Sequence, residues 1–355
     1  MGIDAGTMQS IIREHARKPF SGKVYTLGRQ KMPVSPEGAL TMFASLGVVP
    51  AITQTSELHI DTATIEAETW GATIRDVDFF RMLGLDEVYA IDITNREGAE
   101  IVLDLNYPVP SSLANSCELL VDGSLLDNIF DPTSGLKNIA KLLMPGGRCF
   151  VHNMANTRID FSGIPYTMFN PLWFFDYFVW NEFYYCQVYV NVYSKDNADP
   201  EVYAISLEHA VRHWDGGIIR PIVSEDLIAL NVYAEKGPYS TWDKMPTQHV
   251  YRSAADWDRY IGIVEGYRAQ QRAHVQFGPA GPIPTNIPAG YLRIWPDGTA
   301  SYTGLENQDR HLQVGSNERT TYPELEKSRS ASATRARPKF IVPLTRAAWR
   351  GWHSR

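Results

Sequence analysis

Cysteine is scarce in this chain. Cys117, Cys149 and Cys186 are the only three in 355 residues, an odd number with no paired spacing, which excludes a disulfide framework and a zinc-ribbon type of site. A reducing, cytoplasmic setting is expected. Long apolar runs are missing as well. No stretch reaches the ~18 uninterrupted apolar residues that a spanning helix needs, and residues 1–19 mix acids, bases and a histidine without an apolar core, so neither a membrane nor a secretory signal is expected. Positive charge is also in deficit. A net charge of -7 argues against nucleic acid as an obligatory partner, because phosphate binding is driven by clustered Lys and Arg. Internal repeats are absent. What remains, 44% hydrophobic and 21% charged residues, suffices for one large core or two modest ones.

Three short apolar runs stand out: Val88-Tyr89-Ala90-Ile91, Ile101-Val102-Leu103 and Leu119-Leu120-Val121. Each ends on an aspartate: Asp92, Asp104 and Asp122. Runs of this length suit strands buried on both faces of a parallel sheet. Such strands end on one edge, so the carboxylates would gather where open α/β sheets bind ligands. The residues alone leave two readings open, acceptors for a ligand's hydroxyl and amino groups or strand-end turn residues.

Residues 9–17 suit a short amphipathic helix, and residues 23–27 a first strand that closes on Gly28-Arg29-Gln30. A glycine there lets the backbone turn and approach a ligand, or simply makes a tight turn. Ser35-Pro36 is a helix start, residues 50–75 are polar and read as an insertion over the binding edge or a surface excursion, and residues 76–83 form a helix that Gly84 stops. Asp131-Pro132 opens a further helix with Leu136, Ile139, Ala140, Leu142 and Leu143 at helical spacing. After Pro145-Gly146-Gly147 comes a strand over residues 148–151, with His152-Asn153 at its end. The alternation predicts an α/β fold, a doubly wound sheet with right-handed crossovers.

Gly28, then Ala90-Ile91-Asp92-Ile93, Leu103-Asp104-Leu105-Asn106, Val121-Asp122-Gly123-Ser124, and Leu142-Leu143-Met144-Pro145-Gly146-Gly147-Arg148 in that order resemble the class I S-adenosylmethionine-dependent methyltransferases. The resemblance is nearest to a bacterial methyltransferase-like group with a degenerate glycine motif, and it covers residues 22–193. It implies a Rossmann-like form, a mostly parallel sheet of seven strands with helices on both faces and a C-terminal extension. It also implies S-adenosylmethionine as cofactor. Gly28, Arg29 and Gln30 would approach its amino-acid end, and Asp92 with the following Ile93 would take the ribose. Asp104 and the backbone of Leu105 would read the adenine, while Asp122 and Gly123 would flank the sulfonium. The chain departs from the group where Asp127-Asn128 replaces a common Glu-His and where Phe161 stands near a common histidine.

The resemblance implies an enzyme that moves a methyl group to an oxygen or nitrogen of a small-molecule acceptor, sugar-like or a secondary metabolite. In-line alignment supplies much of such a rate, and a base is needed only for a protonated nucleophile. Asp127, His152 and Tyr166 are the candidates, each with a structural alternative as a turn, strand-end or surface residue. No metal is expected. The lost histidines support an alternative, a catalytically altered binding or assembly subunit that keeps the fold. The aromatic stripe from Trp173 through Phe178 and Trp180 to Tyr193 reads first as core, and the near-alternation Tyr185, Gln187, Tyr189, Asn191, Tyr193 reads as a strand with a mixed face that could line an acceptor pocket.

The expected organisation is an N-terminal segment, 1–22; the cofactor-binding domain, 23–240, with its insertion at 50–75; a helix and hairpin extension, 241–312, which could also join copies of the chain; and a basic tail, 313–355. His209, His213 and Trp214 fall near a Gly216-Gly217 turn. Residues 277–288 read as a Pro- and Gly-rich linker. No acid follows Glu326.

Overall fold

The computed structural model describes residues 2–64, 71–155, 165–193, 201–205, 222–223, 227–248, 251–270, 291–294, 300–303 and 313–314. The N-terminal helix α1 (Ala5–Arg17) starts four residues earlier than its apolar pattern suggests, because Asp4 caps it and accepts from the Thr7 amide at 2.6 Å. Strand β1 (Val24–Leu27) and helix α2 (Pro36–Ser45) follow, with Ser35 capping α2 through the Gly38 amide. Helix α3 (Asp76–Met82) ends before Gly84, whose φ of 76° is the left-handed geometry that glycine accepts most readily.

Next come β2 (Val88–Asp92), β3 (Ile101–Val102), β4 (Cys117–Gly123), α4 (Pro132–Leu142) and β5 (Leu143–Met154). Helix α5 (Pro171–Trp180) then precedes β6 (Tyr185–Tyr193), β7 (Glu201–Ile205), β8 (Ile222–Val223) and β9 (Leu227–Glu235). Helix α6 (Ala254–Ala269) leads to β10 (Tyr291–Ile294), β11 (Ala300–Thr303) and β12 (Gln313–Val314).

The main sheet runs β11-β10-β7-β6-β9-β5-β4-β1-β2-β3. Strands β1 to β5 pair in parallel, and β9 is antiparallel to both β5 and β6. Seven strands thus make the expected doubly wound sheet, and β7, β10 and β11 extend it to ten. The hairpin read from Tyr291 to Tyr302 is this extension of the sheet. Strands β8 and β12 pair separately. The sequences around His209, His213 and Trp214, the 277–288 linker and all but two residues of the basic tail lie outside the described residues.

Burial follows the strand pattern. Every residue of β1 is buried, as are Leu119, Leu120, Val121, Phe150 and Val151 at the centre. The aromatic stripe is largely core: Phe174, Phe178, Phe183, Tyr185 and Tyr189 are fully enclosed. Helix α1 buries Met8, Ile11 and Ile12 and is tied down by charge. The wholly buried Arg148 of β5 pairs with Glu14 at 3.1 Å and Glu118 at 3.2 Å, donates to the Lys18 carbonyl at 2.6 Å and lies 3.6 Å from the Phe20 ring centroid. Glu14 also accepts from the Tyr233 hydroxyl at 2.7 Å. Among the described residues no helix is long and apolar enough to cross a membrane.

Candidate functional site

The chain runs outward from β1 through β2 to β3, then returns to β4 on the other side of β1. Strand order therefore reverses between β1 and β4, and a ligand crevice is expected beyond their carboxyl ends. Gly28 turns there with φ of 71°, its amide donating to the Ile91 carbonyl at 2.7 Å. On the β2 side the edge is open. Asp92 uses one oxygen to accept from the Thr94 amide at 3.0 Å, and Ile93 beside it is 61% exposed. Asp104 follows β3 and accepts from the backbone and side chain of Asn106 through one oxygen. Leu105 is buried, with its carbonyl held by Asn138 Nδ2 at 3.0 Å. Both carboxylates keep an oxygen for a donor from outside.

The β4 side is filled. Gly2 donates to the Gly123 carbonyl at 3.1 Å, Ile3 donates to the Lys31 carbonyl at 3.2 Å, and the Gln30 side chain lies between them. A Cβ placed on Gly123 would fall 1.9 Å from Gln30 Oε1 and 2.7 Å from the Gly2 backbone. Gln30 is therefore not turned toward a ligand. Its amide donates to the Leu27 and Gly28 carbonyls, and its backbone N–H donates to Asp76. Arg29 is drawn sideways to Asp76, at 3.6 Å, and to Glu100. The polar insertion joins this side too, since Lys31 and Arg75 form a bridge.

Asp122 corrects the expectation that it flanks a ligand. It is completely buried and accepts from the Leu125 amide and from Asn153 Nδ2, both at 2.7 Å. Burial pushes its carboxyl up to about 7, Asp127 adds to the rise, and the hydrogen bonds pull against it. Asp92 ends β2, Asp104 lies two residues beyond β3, and Asp122 lies near the end of β4 on the other side of β1; Asp92 and Asp104 keep an oxygen free, whereas Asp122 is enclosed.

Beyond β4 the turn is held by its own polar groups. Ser124 sits at φ of 71°, an unusual value for a residue with a Cβ, and donates to Asp127 Oδ2 at 2.7 Å. Asn153 accepts from the Asp127 amide at 2.9 Å, which ties this turn to the end of β5. Asp127 is buried, and its Oδ1 has no hydrogen-bond partner. Burial raises its pKa against the Ser124 and Met154 hydrogen bonds and the nearby charge of His152. His152 is half-buried, and its Nδ1 meets Asn231 Oδ1 at 2.6 Å. An amide oxygen can only accept, so Nδ1 carries the proton and Nε2 is the free acceptor of the neutral ring.

The His152 ring stands edge-on to Tyr193, whose hydroxyl donates to Asp4. Asn191 donates to the same carboxylate at 2.9 Å. Burial works to raise the Asp4 carboxyl, but the charge of His152 and hydrogen bonds from Thr7 and Tyr193 outweigh it and hold the group low. Tyr166 is joined to Asp127 through its backbone, its N–H donating to the Asp127 carbonyl at 2.7 Å. Its ring is 70% exposed and packs edge-on against the exposed Phe130.

Among the candidate bases, then, Asp127 and His152 share one electrostatic environment, and Tyr166 presents only its backbone. Asn231 and Asp4 escaped the sequence reading. An asparagine inside the apolar run Ile228-Ala229-Leu230-Asn231-Val232 is the signal that could have marked the first. Asp4 could have been recognised only as a helix cap.

No protein-family model matches the chain, and no curated protein matches it. Among solved structures it is similar to a S-adenosylmethionine-dependent methyltransferase of Thermotoga maritima described as a "possible histamine N-methyltransferase", at 13% identity, covering 65% of this chain and 89% of that one, TM-score 0.29. It is also similar to the YcgJ protein of Bacillus subtilis, at 13% identity over 65% of this chain and 98% of that one, TM-score 0.32. A third likeness is to the 1,6-didemethyltoxoflavin-N1-methyltransferase of Burkholderia thailandensis, at 13% identity over 66% and 79%, TM-score 0.27. The strand order carries the fold assignment. The fold is an open, doubly wound α/β sheet, parallel from β3 through β5 with β9 antiparallel beside β5.

Proposed function

We propose that the chain is an S-adenosylmethionine-dependent methyltransferase acting on an oxygen or nitrogen of a small acceptor. The observation that carries this reading is the open β2 side of the switch point: an uncommitted Asp92 oxygen beside an exposed Ile93, one turn from the left-handed Gly28. A carboxylate that accepts from a vicinal diol, next to an apolar side chain that covers a flat base, suits adenosine. Asp104 suits its exocyclic amine. These residues fit the adenosine end of the group. At the other end the fit requires the Gly2–Ile3 backbone and the Gln30 side chain to leave Gly123.

When bound, S-adenosylmethionine supplies an already activated methyl group. The protein's own share is alignment, exclusion of water and custody of one proton. His152 is placed for the last of these, since Asn231 fixes the proton on Nδ1 and leaves Nε2 to accept one from the nucleophile. Calorimetry with S-adenosylhomocysteine tests the cofactor, and transfer of a labelled methyl group from S-adenosylmethionine into a metabolite extract tests the reaction. No binding refutes both parts. Binding without transfer to any extract refutes the second.

The filled β4 side favours a second reading, a subunit that keeps the fold but binds or assembles without methyl transfer. It is the better account if the chain binds adenosine and S-adenosylhomocysteine equally, because the part of the crevice beyond the nucleoside would then stay shut.

A further inference from the structure

A cavity lies between the first turns of α4 and α5 and residues 245–248. It has a volume of about 490 Å³, within the range of small-molecule sites. Leu136, Leu172, Trp173, Tyr177 and Met245 supply an apolar and aromatic lining. One carboxylate, Asp176, opens into it with 20% of its side chain exposed.

The walls are already fixed. Tyr177 donates to the Trp242 carbonyl at 2.6 Å, Asn181 Nδ2 to the Lys244 carbonyl at 2.8 Å, and Arg252 Nε to the Thr247 carbonyl at 2.9 Å. The segment 242–247 is therefore clamped to α5, to its C-cap Asn181 and to Arg252, two residues before α6. A pocket whose wall is tethered in three places does not have to be ordered when a ligand enters, which removes part of the entropic opposition to binding.

The electrostatics narrow the ligand. Asp176 accepts from Arg252 at 2.7 Å through Oδ2 and from the Tyr260 hydroxyl at 2.6 Å through Oδ1. Each oxygen keeps one lone pair for a further donor. Arg252 in turn lies 4.2 Å from the Tyr260 ring centroid and 5.2 Å from that of Trp257, so the carboxylate is neutralised by a cation that is itself held in place. An ammonium ligand would lose its hydration to meet a pair without net charge. A hydroxyl would lose far less and gain a charge-assisted hydrogen bond.

We infer that this cavity is a small-molecule binding site for a flat, largely apolar aryl compound carrying a neutral hydroxyl donor, a phenol, with the hydroxyl on Asp176 and the ring against Trp173. The site does not depend on methyl transfer, and its test involves no cofactor. Calorimetric titration of the full chain with 2-naphthol should give saturable binding with one site. Naphthalene, which lacks the donor, and 2-naphthylmethylamine, which carries an ammonium, should each bind about tenfold more weakly or worse.

Met245 is 51% exposed at the mouth, so Met245→Trp blocks the cavity without opening the core. It should reduce 2-naphthol binding at least tenfold at an unchanged melting temperature. Thr133→Trp repeats the block from the α4 side. The inference is overturned if 2-naphthol does not bind saturably, if naphthalene or the amine binds as tightly, or if both blocking variants leave the affinity unchanged.

Discussion

The two sides of the switch point are built from the same materials and end differently. Beyond β2 the chain leaves Asp92 and Ile93 at the surface; beyond β4 it folds its own Gly2, Ile3 and Gln30 onto Gly123. Both strands end on an aspartate, yet Asp92 needs only one neighbouring amide whereas Asp122 is consumed by the turn that leads to Asp127. A carboxylate at a strand end is thus not a ligand group by position alone. What decides is whether the following loop covers it.

The filled side depends on how firmly the N-terminal helix is held, and Arg148 is its main anchor. Arg148→Ala removes one of the two cations on the buried Glu14, which keeps Arg17 and the Tyr233 hydroxyl, so the loss should be part of the about 3–5 kcal/mol that stripping a buried charge of all its partners costs. Chemical denaturation should record that loss, and amide exchange of residues 2–4 should quicken with it. A stability loss below about 1 kcal/mol would mean that Phe20 and the apolar face of α1 hold the segment without this charge.

The open side is tested by Asp92→Ala. With its acceptor gone, affinity for S-adenosylhomocysteine should fall about 10- to 100-fold, the worth of hydrogen bonds to a charged group. Calorimetry decides, and an unchanged affinity would remove the carboxylate from the site. Gln30→Ala is the converse change. It withdraws the side chain whose Oε1 packs against Gly123 and leaves Asp92 and Asp104 in place, so S-adenosylhomocysteine should bind a few-fold more tightly while adenosine is unaffected. An equal change for both ligands would show that the filled side takes no part in telling them apart.

Much of this was legible in the sequence, for reasons that differ by element. The helix starts at Ser35 and Asp131 are local chemistry, and the structure realises each as a side-chain cap. The strands to Asp92 and Asp122 follow from apolar runs bounded by turn residues. The filling of the crevice was not legible, because Gly2 and Gly123 are 121 positions apart in sequence and nothing in either neighbourhood announces the contact. The inward turn of Asp122 was hidden in the same way, since it depends on Asn153 across two strands. Asn231 was half legible: its place in an apolar run marks it, but only the register of β9 against β5 brings it to His152.

The most gradual effect concerns pH. The Asp122 carboxyl, raised to about 7 by burial, holds its proton in the folded state over a range in which an unfolded aspartate, near 3.9, has lost it. The folded state therefore binds more protons than the unfolded one between about pH 4 and 7. Linkage makes stability fall as pH rises through that window, with the contribution of this group whole below about pH 4 and lost above about 7. Asp122→Asn cannot ionise, so the difference between wild-type and variant stability should shrink steadily from pH 4 to 7. The offset between the curves is uninformative, because an amide at position 122 sets a second donor against Asn153 and adds a constant penalty. The slope is the readout. Asp127 titrates in the same direction and is coupled to Asp122, so adding Asp127→Asn should remove a further part of the downward slope. Parallel wild-type and Asp122→Asn curves would show that the buried carboxylate ionises without penalty and that its hydrogen bonds, rather than burial, set its charge.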